Sequence, residues 1–197
     1  MSKTFKNLLQ NGYKKKKQDK NVDGFVRDDA LSGQRAQVYH NPDTGKTIVS
    51  HRGTQGLKDV ITDAKLLFKP SAYRKSDRYK HAQKVQAEAS AKYGNETITT
   101  IGHSLGARLA SDVGKNSNNV VTYNKPVVPS DVGKKANPNE LHVRTKYDPV
   151  SILAPHIDKT KRMNVDSSSL LNSHNTDNLD SMKHDVLLQN ARSNTKL

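Results

Sequence analysis

Gly102-His103-Ser104-Leu105-Gly106 has the residue types and spacing that turn a serine into a nucleophile. In the G-x-S-x-G pattern the serine occupies a sharp turn between a strand and a helix. Its flanking glycines let the two elements approach each other. The turn lifts the Ser104 hydroxyl above the sheet edge. It also aims the Leu105 N–H and the helix N-terminus at one spot, where negative charge growing on a carbonyl oxygen would be stabilised. The competing reading is a plain helix N-cap after a glycine turn. His103 reads as a packing or positioning residue, because it neighbours Ser104 in sequence and would point away from it.

A serine nucleophile needs a base, and the base needs an orienting carboxylate. In strand–turn–helix sites these follow in the order Ser, Asp, His. Asp148, in Lys146-Tyr147-Asp148-Pro149-Val150, sits just past a strand pattern over 141–145 and could reach over the sheet edge; otherwise it marks an ordinary Asp-Pro turn. Three histidines follow it. His156 is eight positions on, close to the Asp148 loop; His174 lies in a polar loop suited to a catalytic base; His184 falls on an expected last helix.

The surrounding elements must place these groups. Gln37-Val38-Tyr39 and Thr47-Ile48-Val49-Ser50 predict a hairpin across the turn Asn41-Pro42-Asp43-Thr44-Gly45. Val60, Ile61, Ala64, Leu67 and Phe68 form one stripe of a helix over 58–68. A second helix is expected over 74–93, capped by Ser76 and stopped by Gly94. The β-branched run Thr97–Ile101 is a strand leading into the serine motif, and Ala107–Val113 a helix leaving it. Further strands are expected over 120–123, 141–145 and 161–165, with a last helix over 179–190. Strands alternating with helices predict an α/β layered fold around a central sheet. The domain is placed over 35–190, after a basic N-terminal arm over 1–34 and before a frayed tail over 191–197. Phe5, Leu8 and Leu9 could dock a short helix of that arm on the body.

The 197 residues suit one domain, and no stretch approaches the ~20 apolar residues of a membrane-spanning helix. Lys and Arg number 33 against 19 Asp and Glu, a formal charge of +14, with Lys14–Lys17 in a run. Such a surface attracts anionic lipid, nucleic acid or an acidic partner. Nucleic acid is the less supported of these, because aromatics are only 5% of the chain and no basic stripe is interleaved with them. Absence of cysteine excludes disulfides and thiolate metal sites. No metal-ligand spacing is visible, and the chemistry above needs no cofactor. No secretory signal is visible, so a cytoplasmic or virion-associated protein is expected.

Several motifs in order resemble the class 3 lipases. Val49-Ser50-His51-Arg52-Gly53-Thr54 is similar to that family's strand and R-G-[ST] segment, and Asp59 to Asp63 to its D-x-x-x-D. Gly102–Gly106 matches G-H-S-L-G, with Ala107 where a further Gly is usual. Val121–Pro126 resembles the next strand and its proline turn, and Tyr147–Leu153 the D-x-V-P-x-L segment. The resemblance spans about 37–180. It implies an α/β-hydrolase fold and a triad of Ser104 as nucleophile, Asp148 as orienting acid and His174 as base. It further implies an oxyanion hole from Thr54 and Leu105, with Arg52 bracing the Thr54 loop and Asp63 structural. Val60 stands where a Trp is usual, and Gln55-Gly56-Leu57-Lys58 offers little apolar surface, so a minimal version with little lid is expected.

The function expected on these grounds is carboxylic-ester hydrolysis of lipid, of lipase or phospholipase type. The charge adds an anionic membrane surface as a partner. Two alternatives stand beside it: an inactive hydrolase-fold basic binding or virion-associated protein, and a thioesterase or peptidase on the same fold.

Overall fold

Among the described residues, eight strands join one sheet in the order in which they occur along the chain. The first four are β1 (Asn21–Val22), β2 (Phe25–Arg27), β3 (Ala36–His40) and β4 (Thr47–His51), paired as an antiparallel meander. From β4 onward, β5 (Ile98–His103), β6 (Asn119–Tyr123), β7 (Glu140–Thr145) and β8 (Arg162–Val165) add in parallel. The helices are α1 (Ser2–Tyr13), α2 (Pro70–Lys75), α3 (Asp77–Tyr93) and α4 (Leu105–Val113). This computed structural model describes residues 2–14, 18–54, 69–128, 131, 137–145, 148, 151, 162–165, 174 and 176.

Register divides the sheet into two buried faces, as parallel strands covered on both sides require. Tyr39 pairs with Ile48, Ser50 with Ile101, and His103 with Tyr123, so these residues share one face. There Tyr39, Ile48, Ile101, Tyr123 and Val143 pack with Leu8 and Leu9 of α1. On the other face Val38, Val49 and Ile98 pack with Val85 and Ala89 of α3. Leu105 and Leu109 of α4 pack with Ala82 of α3 and Tyr73 of α2.

The segment expected as a basic arm over 1–34 therefore supplies a core helix and two strands. Phe5, Leu8 and Leu9 sit at i, i+3 and i+4, and burying each leucine is worth roughly 1.5–3 kcal/mol. Lys3 and Lys14 are exposed, so the helix keeps basic side chains in water while its apolar stripe is buried. The hairpin β1–β2 was not among the expected elements. Its signal is Asp23-Gly24, with φ of 51° and 83°, the left-handed pair that a two-residue hairpin turn requires.

The hairpin β3–β4 forms as expected, and the Asn41 Oδ1 accepts from the Asp43 and Thr44 N–H groups, both at 3.0 Å. The helix expected over 74–93, capped by Ser76 and stopped by Gly94, forms as α3 with both caps, and Arg74 and Lys75 belong instead to the short α2 before it. Ser76 is extended at ψ 145°, accepts from the Tyr79 N–H to cap α3, and donates its hydroxyl to the Tyr73 carbonyl. A good N-cap so placed starts a new helix rather than continuing one. The expected helices over 58–68 and 179–190, the lid segment Gln55–Lys58, Asp59, Val60, Asp63, Lys15–Lys17 and the tail over 191–197 lie outside the described residues.

Candidate active site

β5 ends at His103 and α4 begins at Leu105, so Ser104 alone makes the turn between them. Its φ of 57° and ψ of −130° are sparsely populated for an L-residue, at a cost of about 1–3 kcal/mol. The surrounding structure holds it there. The Ser104 N–H donates to the Tyr123 carbonyl at 3.0 Å, and the Ser104 carbonyl accepts from the Ala107 N–H at 2.9 Å. Both motif glycines are required by close approach. A Cβ on Gly102 would lie 2.2 Å from the Gly106 carbonyl oxygen, and one on Gly106 would lie 2.1 Å from the His51 carbonyl oxygen.

Asp148 follows β7 by three residues and is fully buried. Its Oδ1 meets His174 Nδ1 at 2.5 Å. Its Oδ2 accepts from the Ser151 N–H at 2.7 Å and the Ser151 hydroxyl at 2.5 Å. A carboxylate can only accept, so Nδ1 of His174 carries the proton and Nε2 presents a lone pair. That Nε2 and the Ser104 hydroxyl are both buried, and neither has a hydrogen-bond partner among the described residues. The His174 ring lies 4.8 Å from the ring of His103, the residue preceding Ser104. The other candidate bases, His156 and His184, lie outside the described residues.

The loop leaving β4, Arg52–Thr54, rests on this turn. A Cβ on Gly53 would lie 2.5 Å from the His103 carbonyl oxygen and 3.1 Å from the Ser104 Cβ. Thr54 follows Gly53, and Leu105 is the first residue of α4, where N–H groups lack helical acceptors. Arg52, expected as the brace of this loop, donates its N–H to the Arg35 carbonyl at 3.0 Å. Arg78 of α3 reaches the same loop: Nη2 donates to the Arg52 carbonyl at 2.6 Å, and Nη1 to the Thr54 hydroxyl at 3.5 Å.

Beneath the turn, His103 is held on both ring nitrogens. Nε2 lies 2.8 Å from the His174 carbonyl oxygen, and Nδ1 lies 3.0 Å from the Tyr13 hydroxyl. Tyr13 also accepts from the Gly53 N–H at 2.9 Å. Burial, reinforced by the neighbouring His174, depresses the His103 pKa to about 3. Burial pushes the Tyr13 hydroxyl up to about 12. Both are neutral at ordinary pH. Tyr13, Arg78 and Ser151 were missed by sequence reasoning. For Ser151 the signal was its place three residues after an Asp, a local side-chain-to-backbone turn. Tyr13 and Arg78 act across 90 and 26 residues, and carry no local signal. Among the described residues no group of three His, Asp or Glu is placed to hold a metal ion, and no helix is long and apolar enough to cross a membrane.

Comparison with solved structures places the fold. A Rhizomucor miehei lipase–propeptide complex superposes with a TM-score of 0.54 at 14% identity, over 78% of this chain and 62% of that one. A mutant form of MDLA from Penicillium cyclopium gives 0.53 at 15% identity, over 85% of this chain and 78% of that one. The chain thus spans less than two thirds of the Rhizomucor lipase's length. No curated protein sequence matches it. The mostly parallel sheet with Ser104 at the tip of β5 is the α/β-hydrolase arrangement expected from the motifs. The family model for a phospholipase-like, Tle-like phospholipase domain matches residues 5–138. That match runs from α1 through the serine turn, most of the chain, and by it this protein belongs to the Tle-like phospholipase domain family.

Proposed function

We propose that the chain hydrolyses carboxylic esters of lipids, phospholipids foremost, through Ser104, His174 and Asp148. One observation carries this reading. A serine at a strained strand–helix turn and the Nε2 of an Asp148-bound histidine are both buried and unpartnered among the described residues, one a donor and the other an acceptor.

In the reaction, Ser104 Oγ attacks the ester carbonyl carbon while His174 Nε2 takes its proton. Asp148 holds the imidazole by Nδ1 and stabilises the imidazolium that forms. The carbonyl oxygen becomes an oxyanion and accepts from the N–H groups of Thr54 and Leu105. Collapse breaks the carbon–oxygen bond, and the alcohol, a lysolipid for a phospholipid substrate, leaves with the proton from His174. Water, deprotonated by His174, then cleaves the acyl–Ser104 ester and releases the fatty acid. Ser151 keeps Asp148 Oδ2 satisfied, so the charge stays turned toward the histidine.

Exposed Lys69, Arg74, Lys75, Lys80 and Lys84 line α2 and the first half of α3. Arg78, on the same stretch, touches the Thr54 loop. This supports an anionic lipid surface as the site of action. Faster hydrolysis on anionic than on zwitterionic vesicles at low salt is expected, with the gap closing as salt rises. Equal rates on both would remove this part of the reading.

The central test is labelling with a fluorophosphonate and mapping of the adduct by mass spectrometry. Labelling at Ser104 is expected, lost in Ser104→Ala and in His174→Ala. Absence of labelling in folded wild type would overturn the hydrolase reading and leave a basic binding protein on a hydrolase fold.

A further inference from the structure

We propose that Tyr13, at the end of the N-terminal helix, is a positioning residue that locks the oxyanion loop and the histidine loop to each other through His103. This rests on the triad reading above and extends it to a residue that touches none of the reacting atoms.

The hydrogen-bond directions follow from what each group can do. The His174 carbonyl only accepts, so His103 Nε2, 2.8 Å away, carries the ring proton. His103 is neutral, so its Nδ1 is a bare acceptor, and the Tyr13 hydroxyl 3.0 Å away donates to it. With its proton so committed, the Tyr13 oxygen accepts from the Gly53 N–H at 2.9 Å. One directed chain therefore runs from the Gly53 N–H through Tyr13 and His103 to the His174 carbonyl. The other His103 tautomer would face a bare Nε2 to a carbonyl oxygen, so the buried chain admits one arrangement. Chains of this kind polarise one another in a low-dielectric interior.

Both ends of the chain lie where small displacements matter. Gly53 immediately precedes Thr54, whose N–H is assigned to the oxyanion. His174 is gripped by its ring at Asp148 and by its backbone at His103. Tyr13 is itself fixed, because Leu8 and Leu9 anchor α1 and Asn11 Nδ2 donates to the buried Tyr39 hydroxyl at 2.6 Å. The approach is close enough that a Cβ on Gly53 would lie 2.5 Å from the Tyr13 oxygen. Gly53 thus serves Tyr13 as well as the serine turn.

The test is Tyr13→Phe, which deletes one oxygen atom. On a soluble short-chain p-nitrophenyl ester, kcat is expected to fall about 10- to 100-fold, the scale of a misplaced catalytic group, with KM within about twofold. The rate of fluorophosphonate labelling at Ser104 falls in step. Val38→Ala, which empties part of the core on the sheet face opposite α1, is expected to lower Tm and leave kcat unchanged well below it. Nitrogen NMR of histidine-labelled protein reads the chain directly. Wild type shows His103 as the Nε2–H tautomer with a hydrogen-bonded Nδ1, and Tyr13→Phe is expected to keep that tautomer while the Nδ1 resonance moves downfield as its hydrogen bond is lost. Unchanged kcat in a Tyr13→Phe variant that still labels at Ser104 overturns the positioning role and leaves the triad standing. A kcat loss no larger than the loss of folded protein, matched by Val38→Ala, also overturns it. Should wild type fail to label, the triad reading falls, and an unchanged His103 Nδ1 resonance in Tyr13→Phe would then dispose of the chain as well.

Discussion

Ser104 and His174 are held in opposite ways. Ser104 sits between two regular elements and is fixed by backbone hydrogen bonds to Tyr123 and Ala107 and by two glycines that admit no side chain. His174 is fixed by single contacts from distant parts of the chain, Asp148 at a separation of 26 residues and His103 at 71. Ser104 is thus built into the sheet, whereas His174, among the described residues, is held by hydrogen bonds to Asp148 and His103. Damage to the first is expected to appear as lost stability, and damage to the second as lost turnover in a folded protein.

The largest effect should come on the histidine side. Asp148→Asn is expected to cost about 10⁴-fold in kcat, because an amide cannot hold the productive tautomer of His174. Its thermal unfolding should shift by only a few degrees; a variant that fails to fold would show that the acid side is also a structural keystone. Next comes the serine side. Gly106→Ala places a carbon 2.1 Å from the His51 carbonyl oxygen, so an overpacking loss of about 3 kcal/mol or more is expected in urea unfolding. Wild-type stability in Gly106→Ala would erase the contrast drawn above.

The smallest effect is the difference between wild type and His51→Asn in a pH dependence shared by both regions. His103, under the histidine loop, and His51, behind the serine helix, are buried neutral, with pKa values depressed to about 3 and about 4. His51 loses its charge to burial first, with Arg78 and His81 adding to the effect against an opposing Gln86 contact. An unfolded histidine takes up its proton near pH ~6.5, so the stability these groups retain at neutral pH is lost as pH falls below that value. Each proton contributes a slope of about 1.4 kcal/mol per pH unit. Urea midpoints measured from pH 7 to pH 5 should fall in wild type and fall less steeply in His51→Asn. A flat midpoint in wild type would contradict the burial of both rings.

The two halves of the site also differ in how much of them the sequence displayed. Around Ser104, every requirement is local: a β-branched strand, two small residues, and a helix of good formers. Motif and context therefore gave the turn, β5 and α4 within about two residues of their ends. Asp148 was visible because it follows a strand pattern closely, and His174 only as one of three. The roles of Tyr13 and Arg78 were not visible, because a tyrosine at a helix end and an arginine in a basic helix have no distinguishing neighbours. Within the basic segment 1–34, the stripe of Phe5, Leu8 and Leu9 was the legible part, and α1 docks through it. Charge at the surface costs little, whereas three apolar residues on one stripe decide where a helix goes.

The sequence by itself determined the α/β pattern, the antiparallel β3–β4 hairpin and the sharp strand–helix turn at Ser104. These depend on backbone preference, side-chain volume and hydrogen-bonding capacity, which are properties of short segments. Only the tertiary structure decided that Asp148 faces His174, that Arg78 reaches the loop of Thr54, and that Tyr13 threads its hydroxyl between Gly53 and His103. Those contacts join residues 24 to 90 positions apart. They exist because parallel pairing brings the ends of β4, β5, β6 and β7 to one edge of the sheet, and no local preference encodes that register.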